Sequence, residues 1–239
     1  DGLRKVFEYY IGKSVYKHIS NEKIDLKVQI HKYFDPNINY SHNIVLWNGK
    51  PNSAGMINNI CNFEKRTIFI YDLIIKLLKQ ESNRKILILS ERRNQLKYFE
   101  TLFDTTSYST GYYIGGLSQD VLDISSRKQI ILATYQMAAE GMNIPTLNTV
   151  IFASPISDIQ QAIGRILREK PEERKYIPLC IDIWDQFSIF VRKGYTRINY
   201  YKKNNYDISY YLDNELININ NENSDSDNTT KKLEFINDD

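Results

Sequence analysis

In the stretch QQAIGRILREK, residues 160 to 170, Gln161, Arg165 and Arg168 stand at intervals of four and three. On a helix such spacing places all three on one side. A guanidinium keeps its charge at any physiological pH and prefers planar, bidentate oxygen partners. The face therefore asks for solvent, an internal carboxylate, or an anion brought in from outside. The last alternative is chemistry: arginines at a cleft opening can stabilise the negative charge that spreads over a transferring phosphoryl group. The chain has no Gly-x-x-x-x-Gly-Lys-Ser/Thr loop to cradle a triphosphate. A phosphate would have to be presented across an interface, which makes these residues candidates for an arginine finger.

Other chemistries find less support. His18, His31 and His42 are scattered, with no cysteine or carboxylate at metal-ligand spacing, and none follows a glycine elbow. Cys61 and Cys180 are the only cysteines, which suits a reducing compartment. Asp182 and Asp185 flank Trp184 near a strand end, where a carboxylate can be catalytic or can cap the next helix. Tyrosines interleaved with Arg192, Lys193, Arg197, Lys202 and Lys203 could stack on bases while the cations meet phosphate, or could simply cover the domain. The net charge of +2 is uneven. Residues 213–239 hold eight acidic groups and two lysines, leaving +8 on residues 1–212. That balance admits a polyanionic partner without demanding one.

The elements that must position the arginines follow a cyclic pattern. KILILS (85–90), GYYIGG (111–116), KQIILAT (128–134), TVIFASP (149–155) and YIPLCIDIWD (176–185) read as buried strands. Helical stretches alternate with them: ERRNQLKYFETLF (91–103), DVLDISS (120–126), YQMAAEG (135–141) and SDIQQAIGRILR (157–168). Such alternation predicts an α/β fold, a parallel sheet with helices on both faces in three layers. Ser157 is the expected N-cap of the last helix. Ligands on such sheets gather beyond the carboxyl ends of the strands, where Ser90, Gly115, Thr134 and Ser154 stand. Upstream, DGLRKVFEYYIG reads as a short helix, residues 22–34 as one or two strands and 62–80 as an amphipathic helix, with a further helix from Ser53. Residues 35–53 carry no periodic pattern, and residues 186–212 read as a helix followed by an extended piece. No run approaches a membrane span. The boundaries expected are a domain over 1–212 and an acidic, flexible tail over 213–239.

The motifs also carry a resemblance. QAIGRILR resembles motif VI of superfamily 2 helicases, Gln-x-x-Gly-Arg-x-x-Arg. ILATYQMAAEGMNIP resembles motif V, and KILILSERRNQLKYF resembles motif IV. Together they look like the second RecA-like domain, closest to the XPB-like branch and to the poxviral and giant-virus transcript-release helicases. The resemblance implies a first RecA-like domain upstream of Asp1, since DGLRKVFEYYIG resembles the segment after motif III. It implies ATP with Mg2+ held mainly by that first domain, and hydrolysis that the present chain cannot perform alone. The nucleic-acid partner implied is one strand of a DNA duplex; the transcription machinery is a further expected partner and a membrane is not. The location implied is intracellular, and for a viral protein the host cytoplasm or the virion.

Roles carry over residue by residue. Arg168 resembles the arginine finger, Arg165 its neighbour at the same phosphate or at the acidic box of the first domain, and Gln161 the residue orienting them. Gly141, Glu140 and Asn143 fall in the nucleotide-side part of motif V. Thr134, Ser90 and Gly115 fall where phosphates of the nucleic-acid strand are contacted. At one position the chain departs from the pattern. Many relatives have Gly-x-Asp-x-Pro, whereas this chain has Gly141, Met142, Asn143, Ile144, Pro145. Asparagine keeps hydrogen-bonding reach but cannot form a salt bridge with a motif VI arginine.

Overall fold

The computed structural model describes residues 9–10, 25–139, 142–213 and 215–217. The expected first helix, apart from residues 9–10, lies outside the described residues, as do the tail beyond 217 and the motif V pair Glu140 and Gly141. Eight strands form one sheet: β1 (Lys27–Tyr33), β2 (Ile86–Ser90), β3 (Thr110–Tyr113), β4 (Ile130–Thr134), β5 (Thr149–Phe152), β6 (Leu179–Asp185), β7 (Asp207–Leu212) and β8 (Glu215–Ile217). Their order across the sheet is β3-β4-β2-β5-β6-β1-β7-β8. Every pairing is parallel except β7 with β8. The sheet thus extends past the boundary expected at residue 213.

The helices are α1 (Ile38–Ser41), α2 (Ser53–Asn62), α3 (Glu64–Gln80), α4 (Arg93–Phe103), α5 (Gln119–Ser126), α6 (Tyr135–Ala139), α7 (Gln160–Ile166) and α8 (Ser188–Lys203). They cover both faces. Leu87 and Leu89 of β2 point to a core shared with Leu122, Ala138, Ile163 and Ile198, from α5, α6, α7 and α8. Ile86 and Ile88 point the other way, to Ile70, Ile74, Leu96 and Phe99 of α3 and α4. A strand apolar on both faces can only be buried between two layers, so the three-layer expectation holds. The chain between β1 and α3 adds a third apolar cluster, in which Tyr40, Met56, Ile60 and Phe63 pack with Phe190 of α8.

Asp182 and Asp185 are structural. Arg66 of α3 donates to both carboxylate oxygens of Asp185, at 2.7 and 2.9 Å, and Tyr40 adds its hydroxyl at 2.8 Å. From the opposite layer Arg197 of α8 donates to both oxygens of Asp182, at 2.8 and 2.7 Å, beside the Tyr201 hydroxyl at 2.8 Å. All four charged groups are buried. Neither carboxylate is open for catalysis, and Arg197 and Tyr201 cannot serve as contacts for nucleic acid.

Candidate functional site

The QQAIGRILREK helix is shorter than its spacing predicts. α7 stops at Ile166, so Arg168 lies beyond its end. At its start, Asp158 Oδ1 rather than Ser157 accepts a backbone N–H, that of Gln160 at 3.3 Å. Glycine at 164 weakens the final turn. Below it Arg174 closes the free carbonyls, donating to Leu167 O at 3.1 Å and Glu169 O at 2.8 Å. The peptide carrying Arg168 is therefore held from both sides by one side chain that the sequence pattern did not single out.

The two arginines part company. Arg165 is buried and turned inward, where Nε donates to Ala138 O at 2.7 Å, Nη2 to Ala139 O at 2.7 Å and Nη1 to Met142 O at 2.5 Å. One guanidinium thus gathers the carbonyls on either side of Glu140 and Gly141. Its position differs from the expected phosphate contact: all three nitrogens are used on the loop of its own domain. Desolvation and the neighbouring Arg168 charge lower its pKa, which does not discharge an arginine. Arg168 is exposed. Its Nη1 donates to Met142 O at 3.0 Å and Asn143 Oδ1 at 2.7 Å. Among the described residues its Nε and Nη2 have no hydrogen-bond partner. Asparagine at 143 thus offers the guanidinium a neutral acceptor at the place where an aspartate would make an ion pair.

Gln161 is exposed and lines a depression of about 210 Å³ with Tyr135, Ala138, Ala139, Ile156, Asp158 and Ala162. Tyr135, another of its lining residues, is fixed by a 2.6 Å hydrogen bond to Ser154 O. Thr134 ends β4 half-buried, directly beside Ser90 in the register. Ser90 does not take the expected place at a strand phosphate. It is fully buried, donating to Gln95 Oε1 at 2.7 Å and accepting from Arg92 N–H at 3.0 Å. Its hydroxyl shapes the turn into α4 and cannot reach a phosphate. Gly115 is half-buried and its carbonyl accepts from Arg93 Nη2 at 2.8 Å. The structure brings Gln161, Arg165, Arg168 and Asn143 together around the α6–β5 loop, while Ser90 and Gly115 belong to separate turns of the sheet edge.

Residues 70–170 match the family described as helicase conserved C-terminal domain. A candidate ATP-dependent RNA helicase (L396) of Acanthamoeba polyphaga mimivirus is 34% identical over 225 residues, a match covering 90% of this chain and 42% of the relative. Among solved structures, T4 UvsW is similar with a TM-score of 0.60 at 18% identity, covering 80% of this chain and 42% of UvsW. At that identity the likeness speaks for the fold. The chain spans less than half the length of each of these relatives. From the motif-bearing loop, the parallel sheet and these matches together, residues 70–170 are similar to a helicase conserved C-terminal domain, carried on a RecA-like fold.

Proposed function

We propose that this domain is the second motor domain of an ATP-dependent helicase or translocase, with Arg168 supplying positive charge to a nucleotide held by a partner RecA-like domain. The observation that carries this reading is the division of labour between the arginines. Arg165 fixes the α6–β5 loop, and that loop, through Met142 O and Asn143, fixes one nitrogen of Arg168. The finger is oriented yet exposed, as a group must be to meet charge that develops across a cleft. Its donor set fits phosphate oxygens. Mg2+ would neutralise phosphate charge there. On this reading the metal is held mainly by the nucleotide-holding domain.

On this reading closure of the two domains on ATP brings Arg168 to the phosphates, and reopening after hydrolysis moves the domains along one strand. Thr134 at the end of β4 would touch the strand's backbone, a contact that sets register without reading bases. Gly141 and Glu140 would lie on the nucleotide side. The test is ATP turnover with the partner domain present. Arg168→Ala should lower kcat by about 10³-fold or more and leave nucleotide affinity nearly unchanged, while the present chain alone should show no turnover. Undiminished hydrolysis in the variant would remove the finger and leave a nucleic-acid-binding module on the same fold.

A further inference from the structure

The segment between α1 and α2 has no part in the site described above. Residues 44–52 fold back as a hairpin: Leu46 N–H donates to Lys50 O at 2.8 Å, Gly49 N–H to Leu46 O at 2.9 Å and Asn52 N–H to Ile44 O at 2.8 Å. Val45 and Pro51 form an antiparallel bridge. Gly49 takes φ of 75°, a conformation glycine adopts without strain, and Asn48 Oδ1 accepts the Lys50 N–H at 3.1 Å. The base is anchored as well. Ile44 packs on the cluster around Tyr40 and Phe63, and Asn52 Oδ1 caps α2 through the Gly55 N–H at 2.9 Å. At the tip Trp47 is 97% exposed. Tryptophan is highly buried on average, so a hydrogen-bonded turn that holds one out in water presents it for a contact.

Three observations identify the contact. The hairpin follows the carboxyl end of β1, and in a parallel sheet this is the edge at which Thr134 also lies and at which ligands gather. Cations surround its base: Lys50 is exposed on the hairpin, Arg92 donates to Ala54 O at 3.3 Å and to Asn58 Oδ1, and Lys193 Nζ reaches Ser53 Oγ at 3.3 Å. Glu91, 3.5 Å from Arg92, is the carboxylate among them. The turn itself offers one flat ring followed by Asn48, Gly49 and Lys50, which matches a single planar base with its phosphate. We propose that Trp47 is a stacking platform for an unpaired base of single-stranded nucleic acid, with Lys50 meeting the adjoining phosphate. The proposal rests on the nucleic-acid reading given above and adds to it a strand contact outside the helicase motifs.

The chain contains two tryptophans, and Trp184 is 5% exposed, so a ligand-induced change of exposed tryptophan emission reports Trp47. Single-stranded DNA and RNA of about twelve nucleotides are titrated into the protein, with binding followed independently by anisotropy of an end-labelled strand. The expected result is quenching in step with binding. Trp47→Ala should weaken affinity about tenfold, and Trp47→Phe should restore most of it, because stacking needs an aromatic face rather than an indole. Binding with unchanged emission and equal affinity in Trp47→Ala overturns the platform and leaves nucleic-acid binding standing. Absence of binding by the wild-type chain overturns both readings. Emission that responds to protein concentration and not to oligonucleotide marks a self-association face and also overturns the proposal.

Discussion

At the scale of single residues, two arginines three positions apart perform opposite tasks. Arg165 satisfies three backbone carbonyls from a buried position, so its removal leaves acceptors without donors next to a cavity. Arg168 has an exposed head with one nitrogen in use, and its truncation forfeits little folding energy. Urea unfolding should separate them: Arg165→Ala is expected to cost about 2–4 kcal/mol of stability and Arg168→Ala less than about 1 kcal/mol. Equal stability of Arg165→Ala and wild type would mean that the loop holds its shape without the clamp. Asn143 is part of the same arrangement. It contributes an acceptor to Arg168 without pairing its charge, so in the proposed finger role the whole positive charge would stay available to an incoming phosphate.

At the scale of elements, close approach of α8 to the sheet depends on one absent side chain. A Cβ at Gly194 would fall inside the Trp184 indole, whose Nε1 donates to Val191 O at 3.1 Å. Gly194→Ala gains up to about 1 kcal/mol of helix propensity, but the indole must move and its hydrogen bond must break. The net expectation is a loss of about 1–3 kcal/mol, read as a lowered Tm; a raised Tm would show that α8 shifts freely. This glycine has no sequence signature, because the partner that excludes a Cβ comes from a different element. The strands were legible for the opposite reason: ILILS in β2 announces burial on both faces from its own residues. α7 was legible as a helix but not at its ends: its N-cap is Ile159, with no side-chain cap, in place of Ser157, and beyond Ile166 the carbonyls of Leu167 and Glu169 are taken by Arg174. The partners of Arg165 were illegible because they are carbonyls, which every residue carries alike. Ser90 had the right type at the right edge, yet Gln95 five residues on takes its hydroxyl. Arg66 and Asp185, 119 residues apart, pair in a way no periodicity can register.

At the scale of the molecule, β6 joins the layers: α3 reaches it through Arg66 and α8 through Arg197, one ion pair from each face. β1 lies between β6 and β7, and on it His31 is buried with no hydrogen-bond partner on either ring nitrogen among the described residues. Its imidazole stacks on Tyr211, ring centroids 4.6 Å apart, and meets the edge of Phe69. Desolvation lowers its pKa from 6.5 to about 4; the Asp182 charge opposes this and the Lys76 charge adds to it. Above the unfolded value the ring is neutral in both states and its packing contributes fully. As pH falls from 6.5 towards 4 the unfolded chain takes up a proton that the folded chain refuses, so stability declines, by at most about 3 kcal/mol from this group. His31→Phe keeps an aromatic ring against Tyr211 and removes the titration. Urea unfolding of both proteins between pH 7 and about 4.5 should show the wild type losing more stability than the variant throughout that window. Parallel losses would mean that His31 is protonated in the folded state, and that water or a rearranged neighbour reaches the ring beneath Tyr211.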